Sequence, residues 1–324
     1  MSAPLSRALH VVSGGAGFIG SHVVDALRRR GAPVIVLDAS GPGGRLAHRL
    51  EDPGLRWVEG DAASPWGPQI AGARALLGAP PLRAVIHLAV EASAAASFAA
   101  PAEDARAGLL STLAAIEAAA DDDARLVFGS SAAVYGDGPP AAADAAPWPR
   151  SPLGIHKLAA EMHLRSAARE RGVRAIALRI FNAYGPRQDA EGPRAGVVAR
   201  FLGRALAGLP LEVAGDGLQT RDFVFVDDVA QGILAACAGG PVDGSAIDLG
   251  SGREHGILEL AERVLAVTRA RAPIVHGPAR AGEARRSCAD LGRAAALLDF
   301  APRIGLDAGL ARTAACLRGG PEGV

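Results

Sequence analysis

The chain has 324 residues, of which 49% are hydrophobic and 21% charged; this composition excludes a disordered protein, and the length suggests about two domains or one large one. Its 34 basic and 34 acidic residues cancel to a formal net charge of zero, so the charge gives no indication of a nucleic-acid or anionic-membrane partner. The three cysteines, Cys237, Cys288 and Cys316, lie far apart, which excludes a disulfide framework or a zinc site and favours a reducing cytoplasm.

The first half of the chain alternates short apolar runs with helical patterns. The runs are rich in Val, Ile and Leu without polar alternation, as in a parallel sheet covered on both faces. We therefore predict an α/β fold, a doubly wound parallel (Rossmann) sheet whose ligands lie beyond the carboxyl ends of its strands. The predicted strands are Leu9–Ser13, Val34–Leu37, Leu55–Glu59, Ala84–Leu88, Leu126–Gly129 and Ala175–Ile180, and the helices are Gly17–Arg30, Glu103–Ala120 and Ser151–Arg171.

After Gly185 and Pro186 the alternation loosens. Helices are predicted over 196–208, 229–237 and 257–269, with strands over 211–214 and 222–226 and a turn at Asp216–Gly217. We predict a Rossmann domain over residues 1–180, with returns to the sheet from about 222–250. Residues 181–324 are predicted to form mainly a smaller, interleaved α/β lobe that binds the substrate.

A glycine-rich turn, GGAGFIG, joins the first predicted strand to the first predicted helix. In its GxxGxxG pattern the first glycine permits a tight turn, the second lets backbone approach a pyrophosphate at the helix N-terminus, and the third allows close helix–strand packing. The pattern predicts a dinucleotide site. Its predicted cofactor-binding residues are Gly14, Gly17, Phe18, Ile19 and Gly20.

Residues at the ends of the next strands complete this site. Asp38 ends the second strand, where a carboxylate binds both ribose hydroxyls and repels a 2′-phosphate, so NAD is favoured over NADP. Asp61, followed by Ala62, comes after the third strand and can bond the adenine amino group. Leu88 and Ala89 end the fourth strand, where a small residue lets backbone pass the cofactor. His87, just before them, is more typical of a structural histidine.

Further motifs follow in a fixed order: HLA from His87, SSAAVYG from Ser130, a lone Lys157, FNAYGPR from Phe181, then GDGLQTRDFV and VDDVA. Together with the glycine turn, the chain from Gly14 to about Pro302 resembles the extended short-chain dehydrogenase/reductase family, the NAD-dependent nucleotide-sugar epimerases and dehydratases. The resemblance implies a Rossmann fold, bound NAD and a nucleotide-sugar substrate. It also implies a homodimer paired through the helices over 101–120 and 151–171.

The catalytic pattern of this family is altered here at its central residue. By resemblance, Ser131 bonds the reacting sugar oxygen, and Lys157 holds the nicotinamide ribose and lowers a neighbouring pKa by its charge. The family's tyrosine, four residues before the lysine, is replaced by Leu153, which cannot accept a proton. A missing general base typically costs roughly 10²- to 10⁴-fold in rate.

Three residues are candidate stand-ins for the tyrosine. His156 partly shares the helix face of the lost group, and histidine is a residue type that often acts as a general base. Tyr135 ends the loop after the fifth strand, and Glu91 follows the fourth strand. For each of them the alternative is a solvent or packing role. Gly108, where the family often has an Asn, is a second departure near the catalytic residues.

The loop after Ser131 discriminates between reactions. Family members that dehydrate the sugar usually carry an Asp-Glu pair there, and the decarboxylases usually keep a Glu at the second position. Ala132 and Ala133 occupy these places and can neither donate nor abstract a proton. Small residues resemble the 4-epimerases, in which C4 is transiently oxidised to a ketone and hydride returns to the other face.

The resemblance also supplies substrate contacts. Asn182 would bond the sugar or the phosphates, and Arg221 would pair with the diphosphate, because a guanidinium matches phosphate oxygens. Arg280 resembles a second diphosphate arginine, although Arg285 or Arg286 can take its place. A uridine diphosphate sugar is the commonest substrate among similar proteins.

We therefore expect an NAD-dependent nucleotide-sugar epimerase acting at C4 with an atypical general base. The alternatives are an unusual nucleotide-sugar oxidoreductase or dehydratase, and a non-catalytic protein that binds NAD and nucleotide sugars. We expect a cytoplasmic location, since residues 1–7 lack a signal-like pattern and the apolar stretch 84–102 has too few large side chains for a membrane span.

Overall fold

The computed structural model describes residues 8–89, 94–136, 147–192, 195–279 and 284–319, and its centre is a seven-stranded parallel sheet. The strands of this sheet are β1 (Leu9–Ser13), β2 (Val34–Asp38), β3 (Leu55–Glu59), β4 (Leu82–His87), β5 (Arg125–Ser131), β6 (Ala175–Ile180) and β10 (Asp243–Leu249). They lie in the order β10-β6-β5-β4-β1-β2-β3, so the direction of winding reverses between β1 and β4. The prediction of a doubly wound sheet is confirmed.

Helices cover both faces of the sheet. One face packs against α1 (Phe18–Arg29), α8 (Val226–Ala238) and α10 (Gly292–Leu298), and the other against α2 (Trp66–Leu76), α5 (Ser111–Asp121) and α6 (Pro152–Arg171). Successive strand residues point to opposite faces, so Val11 and Val12 enter different cores and the strands are apolar on both sides. None of the described helices has the length and apolar character needed to cross a bilayer.

Helix α6 carries the predicted lysine and is delimited by strong end signals. The Ser151 hydroxyl accepts a hydrogen bond from the Gly154 N–H at 3.2 Å, and Pro152 occupies the first turn. At the other end Gly172 adopts a left-handed conformation, with φ of +70°. These signals fix where the helix begins, and hence which of its residues face the sheet.

The predicted helix over 103–120 is divided in the structure. α4 (Pro101–Ala105) and α5 are separated by a π-helical turn over Arg106–Leu110. The hydroxyls of Ser111 and Thr112 donate to carbonyls four residues back in this turn, the Thr112 bond measuring 2.6 Å. Such bonds bend a helix without disturbing its apolar periodicity, so the periodicity predicted one continuous helix.

A second lobe follows β6. Its sheets are formed by β7 (Asn182–Tyr184), β9 (Thr220–Phe225) and β11 (Glu254–Gly256), and by β8 (Leu211–Ala214) with β12 (Ile274–Gly277). They share a core with α7 (Val197–Leu206), α9 (Ile257–Thr268) and α11 (Leu306–Leu317). α8 and β10 return to the main sheet, and α3 (Ala94–Ala99) lies beside α4 and α6. We propose the domain division at about residue 180, with the return from about 222–250.

Candidate active site

A cavity of about 1070 Å³ opens at the carboxyl ends of the parallel strands, between the sheet and the second lobe. This is where a doubly wound fold places its ligands. The structure brings all the predicted cofactor-binding residues to its wall: Gly14, Gly17, Phe18, Ile19, Gly20, Asp38, Asp61, Ala62, Leu88, Ala89 and Lys157.

The glycine turn packs backbone against backbone. Gly14 has φ of +69°, and a Cβ atom built on it would lie 2.7 Å from the Ala89 nitrogen. A Cβ atom on Gly20 would lie 2.1 Å from the Gly14 carbonyl oxygen. No side chain fits at either position, so α1 begins directly against the ends of β1 and β4.

The N-terminus of α1 is open toward the cavity. Gly17 precedes the helix without a side-chain cap, and the first turn contains no acidic residue. The free N–H groups and the positive end of the helix dipole therefore have no internal anion. Together with the cradle around Gly14, this end fits the pyrophosphate of NAD.

Asp38 is held at the edge of this cradle. Its carboxylate accepts hydrogen bonds from the backbone N–H groups of Ala16 and Ser40, each at 3.0 Å. Each oxygen keeps a further lone pair for a ribose hydroxyl. The fixed negative charge at this position repels a 2′-phosphate, which agrees with NAD in preference to NADP.

Asp61 lies farther along the same edge. It accepts a hydrogen bond from the Ala63 N–H at 2.9 Å and forms an ion pair with Arg106 in the π-helical turn. The backbone bond and the nearby guanidinium lower the pKa of Asp61, so the carboxylate is an ionised acceptor suited to an adenine amino group. Sequence reasoning missed Arg106, since only the course of the turn brings it here.

His87 is structural. Its ring nitrogens contact the hydroxyls of Ser13 at 2.6 Å and Ser111 at 3.0 Å, and its ring stacks on Phe128. Full burial lowers its pKa to about 3, with a smaller contribution from the charge of Lys157. The imidazole is therefore neutral and serves to join β1, β4 and α5.

Ser131, Leu153 and Lys157 meet at the other end of the cavity. Ser131 ends β5, and its Oγ accepts a hydrogen bond from the Ala133 N–H at 3.1 Å, which leaves the hydroxyl hydrogen free to donate. Leu153 and Lys157 lie one turn apart on α6, as their spacing predicts. Leu153 is 4% exposed, so it contributes an apolar surface to this part of the wall.

The Lys157 ammonium reaches the floor of the cavity. It donates to the Gly129 carbonyl and lies 4.8 Å from the centroid of the Phe128 ring. Burial lowers the pKa of Lys157 to about 7 against the opposing charges of Asp104 and Glu161. Such a group exchanges its proton near neutral pH.

Of the predicted substrate-binding residues other than Ser131, the structure places Asn182 on the cavity wall and Arg221 elsewhere. The Arg221 guanidinium donates to the carbonyls of Thr220 and Ala284, each at 2.7 Å, and Arg221 does not belong to the cavity lining. Residues 280–283, just before Ala284, are not among the described residues, so the predicted role of Arg280 falls outside the structure. The same holds for Glu91.

The sequence also did not predict a set of ion pairs and hydrogen bonds across the mouth of the cavity. Arg45, after β2, forms an ion pair with Asp189 of the second lobe at 2.5 Å and donates to the Arg187 carbonyl at 2.7 Å. Arg187 in turn pairs with Asp25 of α1 at 2.9 Å. Isolated charged residues in loops give no sequence signal of such a contact.

Comparisons with known proteins agree with this geometry. A family model described as the NAD dependent epimerase/dehydratase family matches residues 10–250. The chain belongs to this family. UDP-glucose 4-epimerase of Mycolicibacterium smegmatis is 34% identical over 94% of this chain and 96% of its own length. UDP-glucuronic acid decarboxylase 1 of Arabidopsis thaliana is 32% identical over 93% of this chain and 68% of its own length.

Among solved members of the epimerase/dehydratase family, the UDP-glucose 4-epimerase of Thermotoga maritima, determined with UDP-glucose, is 34% identical. It matches with a TM-score of 0.87 over 96% of this chain and 99% of its own. The resemblance inferred from the motifs is therefore confirmed. The chain is an enzyme of the nucleotide-sugar epimerase/dehydratase type, and its cofactor is NAD.

Two of the candidate stand-ins for the family's tyrosine are engaged outside the cavity lining. His156 Nδ1 lies 2.6 Å from a carboxylate oxygen of Asp104 on α4, which holds the ring against that helix. The Tyr135 hydroxyl donates to Asp248 at 2.7 Å and accepts from Arg179 at 2.8 Å. Burial raises the pKa of Tyr135, which makes it a poor base at neutral pH. The expectation that either replaces the tyrosine is therefore not supported by their positions.

Proposed function

We propose that the enzyme is a C4 epimerase of a UDP-sugar, which oxidises the C4 carbinol to a ketone and returns hydride to the opposite face. NAD supplies the hydride acceptor when bound. Ser131 bonds the C4 oxygen through its free hydroxyl hydrogen. Leu153 excludes water from the reacting atoms, because its buried side chain closes the wall beside them.

The observation that carries this proposal is the placement of carboxylates. Four acidic residues line the described cavity: Asp38, Glu59, Asp61 and Asp189. Asp38 ends β2, Glu59 ends β3 and Asp61 comes just after it, and Asp189 pairs with Arg45, which follows β2.

Ser131 ends β5, separated from β2 by β4 and β1, a distance of about 14 Å at ordinary strand spacing. Ala132 and Ala133 follow it in a 3₁₀ turn. Dehydration and decarboxylation of a nucleotide sugar both require groups that handle the C5 proton, and the described lining provides no carboxylate for that task at this end. Epimerisation at C4 requires proton transfer at one oxygen only.

A uridine diphosphate substrate is supported by the relatives, several of which act on or bind UDP-sugars. Asn182, the first residue of β7, lies on the cavity wall and is suited to the sugar or phosphates. We propose Arg280 as a diphosphate ligand. The Arg221 guanidinium donates to the Ala284 carbonyl, which follows residues 280–283 in the chain.

The test is to incubate the protein with NAD and UDP-glucose, or with UDP-glucuronic acid, in deuterium oxide and to follow the sugar protons by NMR. We expect a new anomeric signal from the C4 epimer and no deuterium in the sugar, since the hydride returns to the carbon that released it. Deuterium at C5 with loss of water or carbon dioxide would contradict the proposal and indicate an unusual dehydratase or decarboxylase. Unchanged sugars would contradict it as well.

A further inference from the structure

Lys157 is the only lysine in the sequence. The 34 basic residues consist of this lysine and 33 arginines, so every other position that uses a positive side chain uses arginine. Both side chains carry the same charge on a surface, but only lysine can release its proton, because the guanidinium stays charged at all accessible pH values. The single lysine therefore occupies a position where the ability to release a proton distinguishes it from arginine.

The surroundings of Lys157 leave its amine available to a ligand. Among the described residues, the Gly129 carbonyl is the one hydrogen-bond partner of Nζ, and the Phe128 ring covers another side. The side chain is 7% exposed and shares the cavity wall with Ser131 and Leu153. A neutral amine donating to Gly129 keeps its lone pair for a proton from the cavity.

The two carboxylates near this amine each bind another side chain. Asp104, from α4, is bound to His156 at 2.6 Å. Glu161, one turn along α6, forms an ion pair with Arg179 at 2.7 Å. Their pull on Lys157 toward the ammonium form is therefore reduced.

On the sheet side, His87 of β4 is buried and neutral, so it adds no charge near Lys157. The amine thus donates to a carbonyl, lies beside an apolar wall and keeps its lone pair for the cavity. In this setting burial brings the pKa of Lys157 to about 7. An acid–base group is most effective when its pKa lies near the working pH.

Building on the proposed function, we propose that Lys157 is itself the general base and acid of this enzyme, in the role that tyrosine has elsewhere in the family. The neutral amine accepts the proton of the C4 hydroxyl, which Ser131 orients, and becomes an ammonium. The C4–H bond breaks as the C4–O double bond forms, and NAD⁺, when bound, would accept the electron pair and hydrogen of that bond as hydride. On return, the hydride reaches the other face of C4, and the ammonium gives its proton back to the oxygen.

The first test observes the lysine directly. Protein grown with ε-¹³C-lysine has one labelled methylene, whose NMR shift is followed against pH with and without NAD. We expect a midpoint near pH 7 for the NAD-free protein and a lower one with NAD⁺, since a nearby positive charge disfavours the ammonium. A midpoint near the ordinary value of about 10.4 would overturn the proposal.

The second test uses Lys157→Arg and Lys157→Met. Arginine keeps the positive charge and the hydrogen-bond donors but cannot exchange a proton. We expect both variants to lose at least about 100-fold in kcat for UDP-glucose while binding UDP as tightly as the parent. The parent kcat should rise with pH with the same midpoint as the lysine signal of its NAD complex. Arginine that retains kcat within a few-fold would overturn the base role and indicate a charge or ribose-holding role.

The two proposals fail in different ways. If the parent converts neither UDP-glucose nor UDP-glucuronic acid, the proposed function fails and the base role fails with it. If the parent epimerises one of them but Lys157→Arg remains active, only the base role fails. A fold defect in Lys157→Met is recognised by circular dichroism. The lysine titration of the parent needs no variant, so a midpoint near 10.4 rejects the base role even then.

Discussion

At the scale of single residues, position 153 controls the polarity of the reacting end of the cavity. Leu153 is buried, lies one turn from Lys157 and contributes no polar atom. An apolar neighbour disfavours a charged amine, so the leucine helps to keep the lysine neutral. Relative to the family's tyrosine, Leu153 thus removes one acid–base group and, under our proposal for Lys157, favours the neutral form of another.

Replacing Leu153 by Tyr is expected to raise the epimerase kcat/KM at least about tenfold. The reason is that a phenolate one turn from a lysine is a stronger base than the buried amine of Lys157. It should also raise the pKa of Lys157, since a phenolate favours the ammonium. Steady-state rates and the ε-¹³C-lysine titration measure the two effects. Leu153→Phe is the matched control, filling the same space without a hydroxyl. Equal gains from both variants would show that shape, not proton transfer, limits the reaction.

Residues of the cofactor site were predictable because each follows a strand in sequence. Gly14, Asp38 and Asp61 come after successive apolar runs, and parallel strands bring such positions to one edge. Tyr135 and His156 are close in sequence to Ser131 and Lys157, but their side chains do not belong to the cavity lining. Their partners, Asp248 and Asp104, are 113 and 52 residues away, and local pattern contains no information on such contacts.

At the scale of elements, α1 and α2 use glycine for opposite purposes. Gly20 lies inside α1 where its hydrogen faces the Gly14 carbonyl, whereas Gly72 lies inside α2, where an added Cβ atom would meet no other atom within 4 Å. The first glycine is required by packing. The second has no packing role and only increases the conformational entropy that the chain loses on folding.

The same substitution is therefore expected to have opposite effects. Gly20→Ala should lower the free energy of unfolding by about 1–3 kcal/mol and weaken NAD binding, because a new methyl group collides with the turn. Gly72→Ala should raise the free energy by up to about 1 kcal/mol and leave NAD binding unchanged. Urea unfolding and calorimetric titration with NAD measure both variants. Equal stability changes would contradict the role assigned to Gly20.

Element boundaries were predictable where capping residues mark them, as at Ser151 and Gly172 of α6. The π-helical turn was not, since it depends on hydroxyl-to-carbonyl bonds that leave the apolar spacing intact. The second lobe was harder throughout. Its short strands β7 and β11 have three residues each, and pairing between distant segments, not local propensity, defines them.

At the scale of the whole molecule, α6 and the π-helical turn before α5 lie side by side and expose large apolar groups. Leu110 is 47% exposed, Ile155 52% and Met162 63%, and the last two lie two turns apart on one face of α6. Exposed apolar side chains grouped on neighbouring helices mark an interaction surface. We propose that this surface pairs with a second copy of the chain, as the family resemblance implies.

The proposed homodimer has a mass of twice the 32.8 kDa chain. Met162→Glu is expected to shift the light-scattering mass to the monomer value, because a buried unpaired carboxylate is costly at an interface. Leu76→Glu is the control, since Leu76 is 71% exposed at the end of α2, on another part of the surface. A parent protein that already has the monomer mass would exclude the dimer.

The single lysine also makes the active-site helix a unique target for a lysine-specific endoprotease. Such a protease has one cleavable bond in the chain, between Lys157 and Leu158, in the first half of α6. Because the lysine side chain is buried, the bond becomes accessible only when the helix opens. The appearance of a 157-residue fragment therefore reports the opening of this one helix, separately from fraying anywhere else in the protein.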